Sequence, residues 1–208
     1  FVKGEYQIKP PVPFTPGMEL VGRIVEVGEG VTDRAVGDRV FANVGLGAYA
    51  SEVVSPALAT LVLPADASVL TDGQAATFMQ SYLTGWFSLR ERVHAHEGQT
   101  MLVLGAGGGV GAAAVDIGRL LGLRTIAVAS TAEKRELARQ QGAEAVIDPT
   151  TEDVKERAKE IAKDWGHSGV DLVYDPVGGE QSATCLRALG DDGALLVIGF
   201  VAGIPSLP

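Results

Sequence analysis

Five glycines fall within the seven residues Gly105 to Gly111, directly after the apolar run Met101-Leu102-Val103-Leu104 and ahead of Ala112-Ala113-Ala114-Val115-Asp116-Ile117. Glycine permits positive φ and lets an anion approach main-chain N–H groups, and a helix starting there adds unsatisfied donors and a positive dipole end. The stretch reads as strand, tight turn and helix, a cradle for a pyrophosphate. Two frames fit: Gly107, Gly109 and Ala112 in one, Ala106, Gly108 and Gly111 in the other. A glycine-rich surface loop would use the same residues. Against it, Val110, Ala113, Ala114, Ile117, Leu120 and Leu121 recur at three- and four-residue intervals, the spacing of an amphipathic helix.

In a dinucleotide fold an acidic residue about 20 positions beyond the glycines receives the ribose 2′-hydroxyl and selects NAD. The strand expected over 125–129 runs instead into Ser130-Thr131-Ala132-Glu133-Lys134. A hydroxyl, helix N–H groups and the Lys134 cation would accept a 2′-phosphate, so the expected cofactor is NADPH. Without a ligand, Ser130 and Glu133 would form a capping box and Lys134 would be a solvated helix charge. Glu133 would also repel phosphate if it pointed inward.

These residues need elements to hold them. Residues 1–66 are rich in Val, Pro and Gly, with short runs at 20–27 and 39–42 between turn signals, and read as a small all-β unit. A long helix is expected over 71–92, carrying Ala75, Phe78, Met79, Tyr82, Leu83, Trp86, Phe87 and Leu89 at helical spacing. Beyond the glycine turn, strand and helix alternate: strands at 125–129, 145–147, 170–174 and 194–198, helices at 131–141, 152–165 and 180–189. Such alternation predicts an α/β, doubly wound parallel sheet with ligands at the carboxyl ends of its strands. Those ends fall at Gly105, Ser130, Asp148, Asp175 and Gly199, all small or polar. The expected domains are residues 1–66 and 67–208.

The chain has 208 residues, 46% of them hydrophobic, and a formal charge of −9. That suffices for a sizeable core, and with no basic run it argues against nucleic acid as a partner. No apolar run is long enough to span a bilayer and no leader pattern is present, so a soluble, cytoplasmic protein is expected. The single cysteine, Cys185, reads as a small buried hydrophobe, and His94, His96 and His167 as surface histidines beside turns. Because Phe1 replaces an initiator methionine and the chain ends at Pro208 without a closing helix, a fragment is expected.

Taken in order, Pro13-Phe14-Thr15-Pro16-Gly17-Met18-Glu19, Gly37-Asp38-Arg39-Val40, Tyr82-Leu83-Thr84, Gly105 to Gly111, Ser130 to Lys134, 142–148, Asp175-Pro176-Val177-Gly178-Gly179 and Val197-Ile198-Gly199-Phe200 resemble the zinc-free NADPH:quinone oxidoreductase branch of the medium-chain dehydrogenase/reductase superfamily. The resemblance implies a partial GroES-like catalytic domain packed on a Rossmann domain incomplete at its C-terminus, with the active site in the cleft between them. Zinc-dependent members carry Gly-His-Glu where this chain has Gly17-Met18-Glu19, and a cysteine where it has Gln80. A thioether and an amide offer neither the charge nor the donor strength zinc requires, so no metal is expected.

The resemblance further implies that Ala106, Gly107, Gly108, Gly109, Val110 and Gly111 hold the pyrophosphate, and Ser130 and Lys134 the 2′-phosphate. Val197, Ile198, Gly199 and Phe200 would line the nicotinamide half, with Thr84 near the carboxamide, and Val177 would also belong to the cofactor site. Pro149 stands where relatives often carry tyrosine or histidine beside the adenosine. Tyr82 and Thr84 are the candidate contacts to a developing oxyanion, and helix packing and capping are their non-catalytic reading. The implied activity is hydride transfer from NADPH to a quinone or activated enone by a small-molecule oxidoreductase, a homodimer when full length. An enoyl-thioester reductase would need a basic patch for its substrate's phosphates, for which Lys9 and Arg39 are the candidates. A non-catalytic NADPH-binding protein is the alternative of another class.

Overall fold

The computed structural model describes residues 2–4 and 9–207, so Phe1 and Pro208, on which the expectation of a fragment rests, lie outside the described residues. The chain divides into two units, Phe1–Gln80 and Ser81–Pro208.

In the first unit β1 (Glu19–Arg23), β2 (Arg39–Asn43) and β3 (Thr60–Val62) form an antiparallel sheet in that order. Along β2 the buried Val40 and Ala42 alternate with more exposed neighbours, the period-2 pattern of a sheet with one covered face. The strand expected over 20–27 stops at Arg23. The Gly37-Asp38 turn closes on Ile24, whose N–H donates to the Asp38 carbonyl and whose carbonyl accepts the Gly37 N–H. Arg39 donates to Asp72 (2.6 Å) and to the Leu70 carbonyl (3.0 Å), and Phe41 stacks on Phe78.

The single helix expected over 71–92 is three pieces: α1 (Asp72–Ala76), α2 (Phe78–Trp86) and a π-helical segment, Phe87–Arg92. A Thr71–Gln74 capping box starts α1, and Thr77 leaves helical geometry with φ −114° and ψ 5°. Farther on, the Ser88 hydroxyl donates to the carbonyls of Thr84 (2.7 Å) and Gly85 (3.0 Å). A hydroxyl bonded to carbonyls three and four residues back competes with the main-chain ladder, and the widened turn sits there. The boundary between the units falls inside α2.

The second unit runs β4 (Thr100–Val103), α3 (Gly109–Leu120), β5 (Arg124–Val128), α4 (Ala132–Gln140), β6 (Ala145–Ile147), α5 (Val154–Asp164), β7 (Val170–Asp175), α6 (Glu180–Leu186) and β8 (Leu189–Val197). Its five strands are parallel in the order β6-β5-β4-β7-β8, the doubly wound Rossmann arrangement. Alternating side chains of β4, with Leu104 just after it, feed two cores. Met101 and Val103 pack with Val115 and Ile117 of α3, whereas Leu102 and Leu104 pack with Ala158 and Ile161 of α5 and with Cys185 of α6. Cys185 is fully buried, as expected of a small hydrophobe.

At the C-terminal end α6 stops at Leu186, short of the expected 189, and β8 starts five residues before the expected 194. The chain after Arg187 is already held by β7: the Ala188 carbonyl accepts the Val170 N–H and Leu189 pairs with Val170. The register then slips past exposed Asp191 and Asp192 (φ 61°) before pairing resumes at Leu172 and Ala194.

Candidate functional site

The strand order reverses between β4 and β7, and the turns leaving these two strands meet there. Gly105 has φ 58°, and a methyl group on it would stand 3.0 Å from Val177 Cγ2. Three residues into α3, a methyl on Gly111 would overlap the Gly105 carbonyl oxygen, so only glycine lets the helix start this close to the strand. Of the two frames, the one built on Ala106, Gly108 and Gly111 therefore carries the close approach. Gly108 is the N-cap of α3 and supplies no side-chain cap, whereas Thr71, Thr131 and Asp153 cap α1, α4 and α5. Gly108 and Gly109 are exposed. An open helix start of this kind favours an anion.

Lys134 reaches this turn. Its aliphatic stem lies on Gly107, where a methyl would stand 2.5 Å from Cδ, 2.6 Å from Cγ and 2.7 Å from Cβ. The lysine is exposed, yet its stem is packed rather than trailing in solvent. The capping box expected from Ser130 and Glu133 does not form, because the N-cap of α4 is Thr131, whose Oγ1 accepts the Lys134 N–H (3.3 Å). Ser130 is left exposed at the end of β5, one residue before that cap.

Two acidic strand ends are internal supports. Asp175 is fully buried; its Oδ1 accepts the N–H groups of Val177 (2.8 Å) and Gly178 (2.9 Å), and its Oδ2 accepts the Ser182 hydroxyl. It shapes its own turn instead of facing a groove. Its carbonyl accepts the N–H groups of Ile198 and Gly199, and a methyl on Gly178 would stand 2.7 Å from Phe200 Cα, so Val177 and the Val197 to Phe200 segment come together. Asp148 at the end of β6 is paired with Arg135 of α4 (2.9 Å), a contact that local spacing gave no means of finding.

Tyr82 donates to Asp116 Oδ2 of α3 (3.1 Å), and burial, followed by the Asp116 charge and this hydrogen bond, holds its phenol above the ordinary tyrosine range. Thr84 is half-buried two residues farther along α2. Neighbouring Ser81 brings its hydroxyl to the helix start, 3.3 Å from where a methyl on Gly109 would be. His94 and His96 are exposed, and His167 Nδ1 lies 3.7 Å from Asp171. A surface hollow of about 460 Å3 between α5 and the His167-Ser168 turn lies at the amino end of β7, away from these strand ends. Among the described residues no group of three or more His, Cys, Asp or Glu side chains could hold a metal ion, and no helix is long and apolar enough to cross a membrane. In the first unit Glu19 Oε2 accepts the Gln80 N–H (2.7 Å), and Met18 is half-buried beside it in sequence.

Comparison with known proteins matches residues 1–66 to the alcohol dehydrogenase GroES-like domain and residues 109–208 to the zinc-binding dehydrogenase family. A quinone oxidoreductase-like protein 2 homolog of Nematostella vectensis is 38% identical over 99% of this chain and 55% of its own length. The crystal structure of a Pseudomonas syringae pv. Tomato quinone oxidoreductase superposes with a TM-score of 0.88 at 32% identity, covering 99% of this chain and 62% of that one. Escherichia coli quinone oxidoreductase complexed with NADPH gives 0.87 at 32% identity, over 96% of this chain and 60% of that one. The chain thus spans rather more than half the length of the relatives it matches.

Proposed function

Since this chain belongs to the quinone oxidoreductase branch of the medium-chain dehydrogenase/reductase superfamily, we propose that it forms part of a zinc-independent oxidoreductase that transfers a hydride from NADPH to a quinone or activated enone. The observation that carries this reading is the packing of Lys134 on Gly107 beside an uncapped helix start, with Ser130 free of the cap of α4. Main-chain donors for the pyrophosphate then stand beside a cation and a hydroxyl for the 2′-phosphate. The relative solved with NADPH has the same fold, which supports the cofactor assignment.

On this reading the main chain of Ala106 to Gly111 holds the pyrophosphate, and Ser130 and Lys134 bind the 2′-phosphate. Val177 and Val197 to Phe200 flank the nicotinamide half and exclude water from it, with Thr84 at the carboxamide. When bound, NADPH supplies the hydride, and the electron pair of the conjugated acceptor moves onto its carbonyl oxygen. Delocalisation in the acceptor lowers the barrier without a Lewis acid, consistent with a thioether and an amide at Met18 and Gln80. Tyr82 and Thr84 are the two candidate hydroxyls for the contact to that oxygen, and Tyr82 also donates to Asp116. Domain limits of 1–66 and 67–208, homodimerisation of the full-length protein and a cytoplasmic location belong to the same proposal.

The reading is tested by mixing the protein with NADPH and a quinone and following nicotinamide absorbance. Loss of absorbance that requires the quinone supports it. Turnover of crotonyl-CoA alone would favour an enoyl-thioester reductase, a role for which Arg39, already paired with Asp72, is poorly placed. Tight NADPH binding with no turnover of any acceptor would favour a binding protein.

A further inference from the structure

The ion pair between Arg135 and Asp148 stands beside the expected phosphate site and has no part in the function proposed above. Register fixes where it lies. Val128 of β5 pairs with Ile147 of β6, and the Ala129 N–H donates to the Ile147 carbonyl, so Asp148 is opposite Ala129 and next to Ser130 at the carboxyl edge. Arg135 follows Lys134 on α4. Its Nη1 donates to the Ala129 carbonyl (2.8 Å) and pairs with Asp148 Oδ2 at 2.9 Å. The other carboxylate oxygen is taken by Thr150, through its N–H (3.0 Å) and its hydroxyl (2.6 Å). Both members of the pair are more than four-fifths buried as side chains. The Thr150 hydrogen bonds foremost, then Arg135, hold the Asp148 carboxyl below the usual carboxylate range, so it carries its full charge at neutral pH.

A bare carboxylate at this edge would invite a ribose hydroxyl and repel a phosphate. We infer that Arg135 screens Asp148, so that the edge beside Ser130 and Lys134 accepts a 2′-phosphate, and that the pair determines cofactor specificity. The inference rests on the proposed binding of NADPH. Its signature is opposite signs for the two partners: losing the arginine exposes a negative charge, whereas losing the carboxylate releases a positive one. A pair that merely tied α4 to the end of β6 would weaken every ligand alike whichever member was removed.

The test measures binding of 2′,5′-ADP and of 5′-AMP by calorimetry to the wild type and to Arg135→Leu, Asp148→Asn and the double variant, with thermal melting to establish that each is folded. For Arg135→Leu the expected result is a roughly tenfold or greater loss of 2′,5′-ADP affinity, with 5′-AMP changed by no more than about twofold. For Asp148→Asn 2′,5′-ADP affinity is expected to be unchanged or tighter, and the double variant to regain most of what Arg135→Leu loses. Parallel loss of both ligands in the two single variants, or failure of the double variant to recover, overturns the screening role while leaving NADPH binding intact. A wild type that does not prefer 2′,5′-ADP to 5′-AMP overturns both. Where Arg135→Leu does not fold, Arg135→Gln and Asp148→Asn alone decide the sign.

Discussion

The side chain of Lys134 lies flat on the α-carbon of Gly107, leaving no room for a methyl group between them. This contact joins the turn after β4 to the first turn of α4, so the residue type at 107 controls where the lysine's ammonium group can go. Gly107→Ala must displace the stem at three carbons at once. NADPH affinity is expected to fall about tenfold, with NADH affinity changed far less, as read by fluorescence titration of the two nucleotides. Equal loss for both would mean that the contact shapes the turn and not the phosphate site.

Asp175 is buried with three donors directed at its carboxylate. Asparagine keeps one oxygen for the two N–H groups but removes the charge from those bonds. It also puts an NH2 group where Oδ2 accepted the Ser182 hydroxyl, which must then reverse to accept. Asp175→Asn is expected to cost about 2–3 kcal/mol in urea unfolding, more than a surface substitution would. The turn carrying Val177 should loosen with it, visible as faster amide exchange at Val177 and Gly178.

Burial pushes both the Tyr174 phenol and the Cys185 thiol up to about 12. In the unfolded chain the thiol loses its proton near 9.0 and the phenol near 10.0, while the folded state keeps both. Stability from this source is therefore complete below about pH 9 and is lost as pH rises toward 12. Unfolding midpoints measured from pH 8 to 11 should decline, and Cys185→Ala should flatten the first part of the decline, even though its own cavity lowers stability throughout. An unchanged slope in that variant would contradict the assignment.

Tyr82 and Thr84 make separable predictions, because Tyr82 is bonded to Asp116 of the neighbouring helix. Tyr82→Phe is expected to lower stability by about 1 kcal/mol and to leave quinone turnover within about threefold. Thr84→Val is expected to lower kcat/KM by about tenfold or more at little cost in stability. Steady-state kinetics paired with denaturant unfolding distinguish the two, and a reversal would return Tyr82 to the reacting centre.

Much of the second unit was legible because short-range signals agreed there. The apolar run of β4, the glycines and the 3.6-residue period of α3 all point to one strand, turn and helix, and the structure has them in that place. Legibility failed where a tertiary contact decided the outcome. Thr77 and Ser88 look like ordinary helix residues, yet one ends α1 and the other marks the π-helical segment. Asp191-Asp192-Gly193 falls between the helix expected to end at 189 and the strand expected to start at 194 but lies within β8, because pairing with β7 resumes beyond it. The strand-end carboxylates Asp148 and Asp175 were placed correctly along the chain. Their partners Arg135 and Ser182 come from helices whose spacing says nothing about which neighbour they will meet.

The central claim is that the turn after β4 and the start of α4 together bind a nucleotide bearing a 2′-phosphate. Its most direct test is a fluorescence titration of NADPH and NADH against the wild type and Lys134→Ala. The account predicts that wild type binds NADPH at least about tenfold more tightly and that Lys134→Ala loses most of this preference while still binding NADH. Equal affinities for the two nucleotides, unchanged in Lys134→Ala, would contradict it.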